Sequence, residues 1–139
     1  MKVCDYIAKF LASNGVTDVF GMPGGVILDI IYSFDATDGI TPHLSYHEQA
    51  AGFSACGYAQ SSGKIGVAYA TRGPGFTNLI TPIADAYCDS IPTLFIIGHT
   101  TPKLPSRTRI IEDQEIDTCA MVKNITKYAK RLVGVSFTG

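Results

Sequence analysis

The chain has 139 residues, about one domain's worth, of which 46% are hydrophobic and 17% charged, with a formal net charge of -1. With no basic stripe, it lacks the electrostatic term that dominates nucleic-acid binding; no apolar run reaches the ~18 residues that cross a bilayer, and Met1-Lys2-Val3-Cys4-Asp5 lacks the apolar core of a signal peptide. So little charge is unusual for a small soluble domain, and part of the apolar surface is expected to meet a partner.

Val3, Tyr6, Ile7, Phe10 and Leu11 recur at the spacing of one helix face, and Asn14-Gly15 supplies a stop. Asp18 to Gly21 reads as a short strand that breaks at Met22-Pro23-Gly24-Gly25, with a second helix from Val26 to Phe34. Thr41 to Tyr46 is a second strand. Glu48 to Ser62 is a helix rich in small residues. Ile65 to Ala70 is apolar on both faces, as a central parallel strand is. Arg72-Gly73-Pro74-Gly75 turns it into a helix from about Phe76 to Ser90, and Pro92 to Gly98 is a fourth strand. Residues 99 to 111 read as a long loop, and Ile125 to Val133 as a further strand leading into a helix. Strands alternating with helices predict an α/β fold: a doubly wound, mainly parallel sheet with helices on both faces. Cys4, Cys56, Cys88 and Cys119 lie far apart with no C-x-x-C pair, and read as buried free thiols in a reducing cytoplasm.

In such a sheet, ligands bind where strands end and helices begin. Three turns there are unusual: Gly21-Met22-Pro23-Gly24-Gly25, Tyr46-His47-Glu48-Gln49 and Thr71-Arg72-Gly73-Pro74-Gly75. Taken singly, glycine serves a tight turn and Glu48 complements a helix dipole. Three on one edge point instead to a ligand that approaches bare backbone beside a carboxylate.

Nucleotide and metal motifs fail on spacing. Gly73-Pro74-Gly75-Phe76-Thr77-Asn78 has Asn where a dinucleotide fingerprint needs its third glycine. Gly57 to Gly63-Lys64 has one intervening residue too many for a phosphate loop, Ile65 where Ser or Thr belongs, and the wrong helix-to-strand order. His47-Glu48 lacks the second histidine of a zinc-protease helix, and with His43 and His99 it shows no ligand spacing, so no metal site is expected in this chain.

Gly21-Met22-Pro23-Gly24-Gly25, His47-Glu48-Gln49-Ala50-Ala51, Gly57-Tyr58-Ala59, Gly63-Lys64 and Gly66-Val67 occur in one order, followed by Thr71, Gly73-Pro74-Gly75, Thr77-Asn78, Ala84-Asp85-Ala86-Tyr87, Asp89-Ser90, Pro92 and Gly98. This series resembles the amino-terminal domain of acetohydroxyacid (acetolactate) synthases and related thiamin-diphosphate enzymes. It covers residues 1 to 98 almost without a gap; Gln114-Glu115 and Thr126-Lys127 extend it more weakly.

The resemblance implies a domain that holds the aminopyrimidine of thiamin diphosphate, with Glu48 as the activating carboxylate. In that family a carboxyl group on ring nitrogen N1′ favours the imino form at N4′, which takes the proton from thiazolium C2. Ala50, Ala51 and Phe53 are the neighbours expected to shield Glu48 from water. Pro23, Gly24, Gly25, Glu48, Thr71, Gly73, Pro74 and Asn78 would line the cofactor, and Gln114 would face the substrate. The implied reaction is decarboxylation or carboligation of a 2-oxo acid.

The family's Gly-Asp-Gly motif, which holds the diphosphate and Mg2+ in a second domain, does not occur here. Residues 1–139 are therefore expected to be a single pyrimidine-binding domain of a longer enzyme, inactive alone and ending arbitrarily at Gly134-Val135-Ser136-Phe137-Thr138-Gly139. Its expected partners are the diphosphate-binding domain and a second subunit in a homodimer, and FAD is a possible further cofactor. The small residues Ala51, Ala55 and Ala59 are expected to face that second copy. Arg72 and Asp113 stand where acetohydroxyacid synthases carry Ser and Phe, which leaves a related decarboxylase or lyase open. The rival readings are a free-standing α/β domain binding another small ligand, and one subunit of a split decarboxylase.

Overall fold

The structure, a computed structural model, describes residues 1–99 and 114–132. Ten elements follow in the order α1 (Val3–Ser13), β1 (Asp18–Gly21), α2 (Leu28–Asp35), β2 (Thr41–Leu44), α3 (Glu48–Ser62), β3 (Gly66–Ala70), α4 (Pro74–Thr77), α5 (Ile80–Cys88), β4 (Thr93–Ile97) and α6 (Thr118–Val122). The four strands form one sheet in the order β2-β1-β3-β4, and every pair is parallel.

β3 shows why the sheet is covered on both faces. All five of its residues are buried. Val67 and Tyr69 join the core built on α1 and α2, with Ala8, Leu11, Ile30 and Phe34. Ala70 points the other way, into a cluster with Phe76, Leu79 and Ile83, and Gly66 lies against the Ala55 carbonyl of α3. Alternate strand residues thus serve opposite layers, and both must be apolar or small. The expected doubly wound α/β sheet is the fold observed.

Several expectations are corrected. Tyr6 and Phe10, placed on the buried face of α1, are 41% and 54% exposed and stack on each other; the face that packs runs through Cys4, Ile7, Ala8, Leu11 and Ala12. α2 starts at Leu28 because Gly24 to Ile27 form a turn closed by the Ile27 N–H on the Gly24 carbonyl. β2 ends at Leu44, and Tyr46 is fully exposed. The helix expected from Phe76 to Ser90 is broken into α4 and α5. Pro82 has no N–H to donate to a preceding turn, so it sits in the first turn of a new helix.

Ala51, Ala55 and Ala59 do not face outward. They are 0 to 3% exposed and lie under the sheet side of α3, so they cannot form the expected contact with a second copy. Nor do residues 125–132 form a strand or a helix: Ile125 packs on the cluster around Val122, and the Thr126 hydroxyl donates to the Val122 carbonyl. All four cysteines are free, but only Cys56 is buried; Cys88 is exposed. The expected loop from 99 to 111 lies, apart from His99, outside the described residues.

Candidate functional site

The strand order reverses direction at the β1–β3 pair, and the crevice at such a switch point opens beyond the carboxyl ends of those strands. The β1–α2 turn lies there, flanked by the β3–α4 turn, with the β2–α3 turn on the same edge. Thr71 follows the last residue of β3 and reaches across to Gly24: a Cβ on Gly24 would stand 2.7 Å from the Thr71 Cβ. Gly98, after β4, lies against Val26 so closely that a Cβ there would be 2.6 Å from the Val26 carbonyl oxygen. The glycine-rich turn after β1 is therefore held from both sides by backbone-tight contacts.

Glu48 is the first residue of α3. His47 caps that helix, its Nδ1 accepting from the Gln49 N–H at 3.1 Å, so His47 has a structural task that the sequence had not revealed. Glu48 is only 9% exposed. The Asn78 side-chain amide donates to Glu48 Oε2 at 2.9 Å. Oε1 lies over Gly75, where a Cβ would be 3.1 Å away, and no described residue donates a hydrogen bond to it. The neighbours shown beside the carboxyl group are thus Thr71, Gly75 and Asn78; of the residues expected to shield it, Ala51 is buried, whereas Ala50 and Phe53 are exposed. Gly75 was present in the turn motif but absent from the expected site; its contact with Oε1 adds it.

The expected site residues fall into three groups. Gly24, Glu48, Thr71 and Asn78 are joined by the contacts just described. Pro23, Gly25 and Pro74 are exposed on the same turns, and a Cβ on Gly25 would meet nothing within 4 Å, so open space lies above that backbone. Gly73 is used differently: its φ is +61°, and the space a Cβ would take is filled by Gln114, whose Cβ is 2.5 Å and carbonyl oxygen 2.6 Å from that point. Gln114 itself has φ +57°, a rare conformation for a residue with a side chain. Gly73 therefore seats the segment carrying Gln114 against the same edge.

Among the described residues no group of three His, Cys, Asp or Glu side chains could hold a metal ion. His43 pairs with Asp18 and His99 with Arg131. A cavity of about 230 Å³ lies elsewhere, lined by residues of α6 and by Ala129, Lys130 and Arg131, and Glu48 takes no part in it. The chemistry points to the Glu48 edge rather than to that cavity, because there a shielded carboxylate has one oxygen without a protein donor among the described residues. Among the described residues, no helix is long and apolar enough to cross a membrane.

Comparison with known proteins bears on this geometry. Residues 1–121 match the family model for the thiamine pyrophosphate enzyme, N-terminal TPP binding domain. The chain is 43% identical over 122 residues to an acetolactate synthase large subunit of Lactococcus lactis, covering 88% of this chain and 21% of that protein. It is 41% identical over 131 residues to a probable acetolactate synthase large subunit of Methanocaldococcus jannaschii, 92% of this chain and 21% of the other. With acetolactate synthase 1, chloroplastic, of Oryza sativa it shares 39% over 127 residues, 91% and 19% of the two chains. The chain thus spans about a fifth of the length of the curated relatives it matches. The chain belongs to the thiamine pyrophosphate enzymes, as their N-terminal TPP binding domain.

Proposed function

We propose that the Glu48 edge holds the aminopyrimidine of thiamin diphosphate in an enzyme that decarboxylates or joins 2-oxo acids, as the acetolactate synthase names of the relatives suggest. The observation that carries this reading is the division of labour within one carboxyl group: Oε2 is fixed by Asn78, while Oε1, nearly enclosed, has no protein donor among the described residues. The residues fit a flat heteroaromatic ring, because Gly75 puts no side chain against Oε1 and the backbone at Gly25, on the same edge, faces open space.

Asn78 orients the plane of the carboxyl group by donating to Oε2. Oε1 is then left to share a proton with a ring nitrogen, a positioned acid–base role of the kind that contributes about 10²- to 10⁴-fold to a rate. When bound, thiamin diphosphate supplies the carbon nucleophile that adds to the 2-oxo acid carbonyl. Gln114, seated on Gly73, is assigned to the substrate side.

The diphosphate and its Mg2+ are assigned to a second domain, with FAD a further cofactor of the complete enzyme and a homodimer as its assembly. Exposed Leu44, Tyr46 and Phe53 border the Glu48 turn and support contact with a partner surface there, in place of the buried alanines of α3. Four free cysteines support a reducing compartment such as the cytoplasm.

The test is Glu48→Gln in the complete enzyme, which keeps the shape and the Asn78 contact but loses the shared proton. Exchange of the C2 hydrogen of bound cofactor should slow by about 10²-fold or more; exchange at the normal rate would remove Glu48 from the mechanism. A second measurement addresses the division between domains. Calorimetric titration of residues 1–139 with thiamin diphosphate and Mg2+ should show weak binding or none, and tight Mg2+-dependent binding would place the diphosphate site in this chain.

A further inference from the structure

One side chain touches two of the three strand-end turns and stands beside the third. Around Gly24, the atoms nearest to the place of a Cβ are the Thr71 Cβ at 2.7 Å and its Cγ2 and Oγ1, both at 3.0 Å. Around Gly75, the nearest is the same Thr71 Cγ2 at 2.7 Å, followed by Glu48 Oε1 at 3.1 Å and Thr71 Cβ at 3.7 Å. The methyl group is thus close to both bare α-carbons and is the nearest atom to the second, whereas the hydroxyl is among the three nearest atoms only at the first. Both glycines are needed for this arrangement, since a side chain on either would occupy the space of the Thr71 side chain.

We propose that Thr71 is a positioning residue whose γ-methyl group, not its hydroxyl, sets the gap between the β1–α2 turn and the start of α4, and so the width of the slot beside Glu48 Oε1. The inference rests on the reading of that edge as the aminopyrimidine site. A β-branched residue suits the task. Branching leaves χ1 few choices, so the methyl acts as a stiff spacer and not as an adjustable one. Packed interiors transmit the loss of even one methyl group to their neighbours, and here the neighbours are the two turns and the Glu48 carboxyl group. Serine would keep the hydroxyl and lose the spacer; valine would keep the spacer and lose the hydroxyl.

The experiment uses the complete enzyme with Thr71→Ser, Thr71→Val and Glu48→Gln, read by thiamin-diphosphate affinity, by C2 exchange and by thermal unfolding without cofactor. Thr71→Val, which keeps the branched spacer, should retain more of the affinity and of the exchange rate than Thr71→Ser. Thr71→Ser should bind the cofactor about tenfold more weakly, since small misplacements in a positioned site carry large penalties. Its thermal midpoint without cofactor should stay close to that of Thr71→Val, which separates positioning from general stability. Loss of affinity in the valine variant with none in the serine variant would make the hydroxyl the working group and overturn the proposal, and so would a serine variant that binds normally. If the serine variant does not fold, Thr71→Ala takes its place: affinity better kept in valine than in alanine supports the spacer, and the reverse order overturns it. Failure of the underlying site reading shows separately, as unchanged exchange in Glu48→Gln.

Discussion

Two polar clusters sit on this sheet, and they handle their carboxylates in opposite ways. At the start of β1, both oxygens of Asp18 are engaged: Oδ1 meets His43 Nε2 at 2.7 Å and Oδ2 accepts from the Thr17 hydroxyl at 2.7 Å. The Thr17 hydroxyl has spent its one proton on Asp18. It must therefore accept from the Tyr58 hydroxyl, 2.7 Å away, as it does from Lys64 Nζ at 3.2 Å. Phe20 stacks on His43 and tilts against Tyr58, which closes the group. This cluster is partly open to solvent yet internally complete. At the other edge Glu48 is much less exposed, and only one of its oxygens has a protein donor among the described residues. A cluster that satisfies itself serves structure, and the open valence of Glu48 is what supports the proposed binding role.

The sharpest break in that comparison comes from exchanging one carboxylate at a time. Glu48→Gln should cost about 10²-fold or more in C2 exchange and leave denaturant unfolding of the domain nearly unchanged, because the amide can still accept from Asn78. Asp18→Asn should do the reverse. It should leave exchange alone and lower stability by about 1 kcal/mol at neutral pH, the scale of a partly exposed charged hydrogen-bond pair. The comparison would fail if Asp18→Asn slowed exchange as much as Glu48→Gln did.

The pH dependence of that second effect has a defined sign. The hydrogen bond from His43, followed by that from Thr17, holds the Asp18 carboxyl group below its ordinary value. A depressed folded pKa contributes stability above the unfolded pKa of about 3.9 and loses it as pH falls toward the folded value. Urea unfolding from pH 7 down to 3 should therefore show the gap between the parent chain and Asp18→Asn at full size near neutrality and closing below about pH 4. A gap that widens on acidification would contradict the assignment of Asp18 as a charged, hydrogen-bonded group.

How much of this was legible beforehand varies with what each residue type can signal. β3 was clear because five buried residues admit few alternatives, and α3 was placed at Glu48–Ser62 because small residues dominate that run. The same helix misled on direction. Small residues lie on its inner side at Ala51, Ala55 and Ala59 and on its outer side at Ala50, Ser54 and Gly57, so periodicity carries no sign of which face is buried. Within the site, Glu48 and the glycine turns were visible as motifs. The split use of the carboxyl oxygens and the seating of Gln114 on Gly73 were not, because each depends on residues 30 or more positions apart meeting in space.

Tyr69 supplies the smallest expected effect and the closest control for the argument about Glu48. Its hydroxyl is also buried with no hydrogen-bond partner among the described residues, and burial pushes its pKa up. Yet the residue is 0% exposed, its ring lies over Gly21 and tilts against Phe34, and its surroundings are the apolar core of α1 and α2. An unanswered polar atom makes a site only when a ligand can reach it, and nothing can approach this one without opening the core. Removing the hydroxyl should therefore relieve a desolvation cost and take away no function. Tyr69→Phe should be neutral or stabilise the chain by up to about 1 kcal/mol in urea unfolding, with C2 exchange in the complete enzyme unchanged. A destabilisation beyond about 1 kcal/mol, or a slowed exchange, would mean that this hydroxyl is engaged after all and that an unsatisfied valence, enclosed or open, marks function on this sheet.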